Sequence, residues 1–243
     1  MLNIMAPKFK TNRKKDLEET PPFTVHPWRL CPLGQYWRKE TRAYVRKSGP
    51  VKSSAPRCQH NPSKKDQIYS EELIKIAEQH FADLKGPPKS DNLDKNDGNN
   101  FESFIRGWTK YWNEVLKPDE PLDPDLVKAI IRTESGFNTK ATNNSGRAGK
   151  ARGLMQITDE PIKVLAEEKG ELKDHLVNVD QKEMSNPNLN IAAGIRWLHR
   201  KKEIQDARGK SSWLDAVAAC KAYKTLDHPK MKEFIAIYER LKK

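Results

Sequence analysis

A chain of 243 residues, 36% hydrophobic and 32% charged, has room for one sizeable domain and something smaller. Its six Trp and seven Phe exclude a wholly disordered chain, and no run is long or apolar enough to span a membrane. The net charge of +12 sits almost wholly in residues 1–65, with 15 Lys/Arg against 4 Asp/Glu, while residues 66–243 balance 30 against 29. That basic arm could meet nucleic acid, an anionic polymer, an acidic lipid surface or an acidic protein groove, or be no more than a solvated segment.

Residues 1–25 are charged, proline-containing and aperiodic, which predicts disorder. They hold no apolar core of signal-peptide length, so synthesis as a soluble cytoplasmic chain is expected, with some other route for action outside. Residues 26–65 read as a small basic module, in which "QYWRKETRAYV" predicts one or two short strands before a Ser-Gly-Pro turn. Cys31 and Cys58 lie there beside His26 and His60. The four could close a tetrahedral zinc site, although the spacing fits no standard finger. A Cys31–Cys58 disulfide or two unpaired thiols are the alternatives.

From Ser70 the pattern becomes helical. "SEELIKIAEQHFADL" predicts a helix capped by Ser70, and "KGPPKSDNLDKNDGNN" predicts a loop or linker. In "FESFIRGWTKYWNEVL", Phe101, Phe104, Ile105, Trp108, Trp112 and Val115 recur at helical spacing, so the aromatic stripe reads as core. Asp123 followed by Pro124 predicts a capped helix start, and Asn186–Pro187 repeats the device. Ser212 and Asp215 form a capping-box-like pair. Pro229 opens a last helix with Met231, Phe234 or Ile235, Tyr238 and Leu241 inward. No strand pattern is visible after residue 66, so the main domain is expected to be all-α. The divisions are 1–65, a helix and linker over 66–100, and a domain over 101–243.

Within the Asp123 helix, Leu126, Ile130 and Glu134 follow one another at i, i+4 and i+8 and share a face. Glu134 thus lies on the apolar side near the helix C-terminus, where burial and the dipole both favour the neutral acid, the form that can protonate a leaving oxygen. On this geometry alone a solvent-facing carboxylate, or one paired with Arg132 or Arg152, is the favoured reading.

Three motifs narrow the choice. "ESGFNTKA" begins at Glu134, "GLMQI" begins 19 residues later at Gly153, and "NPNLNIAAGIRWL" begins at Asn186. In this order they resemble the catalytic domain of the soluble lytic transglycosylase family, with its goose-type-lysozyme-like fold, over about residues 101–225. The resemblance implies an all-α lysozyme-like domain that needs no cofactor, behind a small basic N-terminal region with short strands. It implies that Glu134 protonates the glycosidic oxygen between N-acetylmuramic acid and N-acetylglucosamine, then takes the proton of the muramic 6-hydroxyl as a 1,6-anhydro ring closes. It implies that Ser135 orients Glu134 or the substrate, that Gly153, Leu154, Met155 and Gln156 line the glycan groove, and that Asn190 contributes sugar contacts. A hydrolytic version would need a second acid; Asp159, Glu160 and Asp180 are the candidates.

Two departures from the family pattern stand out. "NNSGRAGKARG" is a longer basic loop, able to act as a lid or to touch glycan through Arg147, Lys150 and Arg152, or merely to be solvated. "AVAACKAY" puts Cys220 and Lys221 where the family has a Tyr-Asn pair, with Tyr223 as a partial substitute. No His-containing partner motif accompanies Cys220, which argues against a nucleophilic thiol.

"CPLGQYWRKETRAYVRKSG" and "RCQHNPSKKD" resemble the N-terminal region of transglycosylase-type effectors of type VI secretion systems. That likeness implies an antibacterial toxin delivered to the periplasm of a target cell by a secretion spike, with a cognate immunity protein. A phage lysin or tail lysozyme, and a peptidoglycan-binding protein with weakened chemistry, are the alternatives. A nucleic-acid role would rest on the basic arm alone.

Overall fold

The computed structural model of the protein describes residues 25–63, 65–88, 93, 96–221 and 226–243. The disorder expected for residues 1–25 lies, but for Val25, outside the described residues. The N-terminal module is built from two hairpin-like pairs. Strand β1 (Gln35–Arg38) pairs antiparallel with β4 (Arg57–His60), and β2 (Tyr44–Arg46) pairs with β3 (Gly49–Val51) across a two-residue turn. Cys31 and Cys58 are joined in a disulfide, so neither thiolate remains for zinc, and the tetrahedral site does not form. His26, one of its candidates, instead places Nε2 2.7 Å from Glu114.

A buried guanidinium sews this module to the helical body. Arg29 donates from Nη1 to both oxygens of Asp66 at 2.7 and 2.6 Å, and from Nε to Glu72 at 2.8 Å. Burial alone would depress the Arg29 guanidinium, but Tyr111, Glu72 and Asp66 around it raise it above its ordinary value. Burial likewise works against the Asp66 carboxylate, yet His175 and Arg29 hold it below the usual carboxylate range. Trp28 stacks on His80 and meets Phe81 and Tyr111, giving the polar clamp an apolar flank.

Asp66 leads into β5 (Gln67–Tyr69), which continues directly as α1 (Ser70–His80). The cap residue is Tyr69, one position before the expected Ser70. Ser70 is drawn into tertiary bonding instead, its hydroxyl reaching Glu183 at 2.6 Å. Helix α2 (Glu102–Leu116) then buries Ile105, Trp108 and Trp112 as its spacing required, with Tyr111 beside them. Asp123 caps α3 (Pro124–Ser135) through Asp125 N–H at 2.9 Å, and Gly136 ends it in the left-handed region.

The expected basic loop is a hairpin, β6 (Thr142–Asn144) with β7 (Lys150–Arg152), followed by α4 (Asp159–Ala166). Strand β8 (Leu176–Asn178) returns to pair in parallel with β5. Strands do occur after residue 66, against expectation: each is three residues long, too short to display an alternating pattern in sequence. Helices α5 (Pro187–Asp206), α6 (Trp213–Cys220) and α7 (Pro229–Leu241) complete the chain. Among the described residues the fold is therefore seven helices with small two-stranded supplements.

Helix α5 is the axis. Fourteen of its residues are buried, and it packs against α1, α2, α4 and α6. Its surroundings must meet polar needs internally. Trp108 Nε1 donates to Asn188 at 2.6 Å and Trp112 Nε1 to the Ala192 carbonyl at 3.0 Å. Helix α7 packs on α3, where Tyr238 donates its hydroxyl to Asp123 at 2.8 Å. The acid-bearing helix is thus held by α2 before it in the chain and by α7 at the chain's end.

Candidate active site

Glu134 lies in the last turn of α3 and lines a cleft of about 410 Å³ between α3, the β6–β7 hairpin, α5 and α6. Its side chain is 18% exposed. The carboxylate does not meet an apolar wall, as its helix face suggested. Lys221, the residue that ends α6, sets its Nζ 3.2 Å from Glu134 Oε2. The same Nζ donates to the Met155 carbonyl at 2.9 Å. A cation at the C-terminal end of α6 is also where the helix dipole favours one.

The opposite wall is the Gly153–Ile157 turn. Met155 and Gln156 face the cleft, as expected of groove residues. Gly153 and Leu154 lie beneath it. Gly153 has φ +72, and a Cβ there would come within 2.1 Å of the Met184 carbonyl and 2.3 Å of Asn190 Nδ2, so the turn admits glycine alone. Leu154 is fully buried in the core. Gln156 is held on three sides: it accepts from Asn143 at 2.7 Å and donates to the Ala141 and Gly153 carbonyls at 3.1 and 2.8 Å.

Asn190 holds this wall from below rather than meeting a sugar. It is fully buried, accepts from Met155 N–H at 2.8 Å, and donates to the Arg152 and Met184 carbonyls at 3.0 and 3.1 Å. The amide is committed to backbone, which corrects the expected sugar contact. Gly194, one turn further on α5, leaves room for the Met155 sulfur, which a Cβ would approach to 2.3 Å. Ser135 donates its hydroxyl to the Ile131 carbonyl at 3.1 Å, one turn back in its own helix. Tyr223 lies outside the described residues.

Glu134 is the one carboxylate among the described residues that line the cleft. Asp159 is occupied by Arg152 and by Lys150 N–H, and the Lys150 bond first, then the Arg152 guanidinium, holds its carboxyl below the usual range. Asp180 caps the short turn Gln181–Ser185 in a reciprocal pair with Glu183. Cys220 lines the cleft, but burial pushes its thiol up, away from the thiolate a nucleophile needs.

Thr158 and Lys230 also line the cleft and carry no motif that marks them in sequence, and Trp197 joins them from within the third motif, where no role was assigned to it. Lys221 did carry a signal, as a charge in place of an amide, but its partner is separated from it by most of the domain. Such a site can give one proton and take one back, beside the Lys221 side chain. A sequence model of the family described as Transglycosylase SLT domain matches residues 111–234, from late α2 into α7. No curated protein matches the chain.

Proposed function

The chain belongs to the transglycosylase SLT family and is a lytic transglycosylase acting on peptidoglycan; from that premise we propose that Glu134 is its single acid–base group. The observation that carries this is the lone carboxylate among the described lining residues. Hydrolytic glycosidases hold two carboxyl groups about 5–9.5 Å apart, one for the leaving oxygen and one for water or for C1. With one, the substrate must supply its own nucleophile. Glu134 gives its proton to the glycosidic oxygen as the C1–O bond breaks toward that oxygen. The muramic 6-hydroxyl oxygen then bonds to C1, and its proton passes to the Glu134 carboxylate. Bonds and protons balance without water, and the acid is restored. Met155 and Gln156 form the glycan wall in this reading.

We also propose a biological setting for this activity. The protein acts as an antibacterial effector, delivered by a secretion spike to the periplasm of a target cell and countered by a cognate immunity protein. Two features support it: the resemblance of the N-terminal module to that of such effectors, and the Cys31–Cys58 disulfide, which suits an oxidising compartment. The basic module serves as the loading region.

Mass spectrometry of purified sacculi digested by the full chain is the test. We expect 1,6-anhydro-muropeptides, and at least about 100-fold less from Glu134→Gln. Reducing-end products would point to hydrolysis; binding without product would leave only a wall-binding protein. Expression directed to the periplasm should lyse cells, and cytoplasmic expression should not. Equal toxicity in both compartments would sink the effector reading.

A further inference from the structure

We propose that Lys221 is a positioning residue of the reaction, an ammonium brace that orients the Glu134 carboxylate and stands beside the charge formed when its proton leaves. The inference rests on the assignment of Glu134 as the acid–base group. Three observations carry it. Nζ lies 3.2 Å from Oε2, close enough for a charge-assisted contact. It also lies 2.9 Å from the Met155 carbonyl, so the one side chain bridges the acid helix and the glycan wall. And the Lys221 side chain is only 11% exposed, so the pair is shielded from the solvent that would weaken it.

The bridge has chemical consequences. Ser135, the neighbour that could have oriented the acid, spends its hydroxyl on the Ile131 carbonyl. Lys221 therefore supplies the orientation that Glu134 does not receive from its own helix. By holding Oε2, it reserves Oε1 for the glycosidic oxygen. As the proton moves to that oxygen, the carboxylate left behind is met by a cation already in place, with no reorganisation required. The same cation steadies the carboxylate until it takes up the 6-hydroxyl proton. Because Nζ is tied to the Met155 backbone, the acid keeps its distance from the wall along which the glycan lies.

The alternative is a tether that serves stability only. The two differ in what they move. Soluble glycan strands and the full chain allow kcat and KM to be separated for wild type, Lys221→Met and Lys221→Arg, with thermal unfolding followed in parallel. The brace predicts that Lys221→Met lowers kcat about 10- to 100-fold, the scale of a misplaced catalytic group, with KM within about threefold and Tm little changed. Lys221→Arg keeps a cation within reach and should recover a large part of kcat. Wild-type kcat in Lys221→Met would overturn the proposal. So would a loss confined to KM, a loss that tracks Tm, or no recovery in Lys221→Arg. A wild type that releases no product overturns the functional reading and this inference together, whereas an active wild type with an unaffected Lys221→Met overturns the inference alone.

Discussion

The two walls of the cleft are held by opposite means. The Gly153–Ile157 wall is backbone fastened to buried amides: Asn190 reaches three main-chain groups and Gln156 reaches two more and Asn143. The Glu134 wall is held at its tip by one ion pair to Lys221. Neutral bonds to buried backbone cannot be traded for water, so they fix shape. An ion pair held largely out of water loses most of its Coulomb gain to desolvation and so contributes little net stability, but it keeps charge where chemistry needs it. Shape and reactivity are thus assigned to different sides of one groove.

Substitutions can break this contrast in descending order. Gly153→Ala should be worst, destabilising by about 4 kcal/mol, since it combines a left-handed residue with a clash against the Met184 backbone. Denaturant unfolding measures it, and a value under about 1 kcal/mol would mean the turn can move. Asn190→Ala should cost about 3 kcal/mol by stranding buried groups on residues 152, 155 and 184, and activity should fall in step with stability. Gln156→Met, similar in size but unable to bond both carbonyls, should cost about 2 kcal/mol. Lys221→Met should cost under about 1 kcal/mol, while kcat falls. If Lys221→Met unfolds the protein as readily as Asn190→Ala, the contrast between the walls fails.

How much of the fold and site could be read from the sequence depends on the range of each interaction. Caps at Asp123, Asn186 and Ser212 act over two or three residues and stand where the sequence put them. Ser70 did not, because its hydroxyl answers to Glu183, far along the chain. Strands β5 and β8 were invisible because each is defined by the other and neither has length enough for a pattern. In the site, Met155 and Gln156 face the cleft as their motif implied. Asn190 sits in a motif whose family resemblance implied sugar contacts; only its burial reveals that it serves the turn. The meeting of Lys221 with Glu134 depends on how α6 docks beside α3, which no local pattern contains.

Arg29 sets a limit on how small a working fragment can be made. A chain cut at residue 66 would keep every motif of the groove, yet strip Glu72 and Asp66, both buried in the whole chain, of the guanidinium that pairs with them. Removing one partner of a buried pair costs about 3–5 kcal/mol, a large share of what holds a domain of this size together. A minimal enzyme should therefore begin before Arg29, and the basic module, whatever carries it, travels as part of the catalytic body.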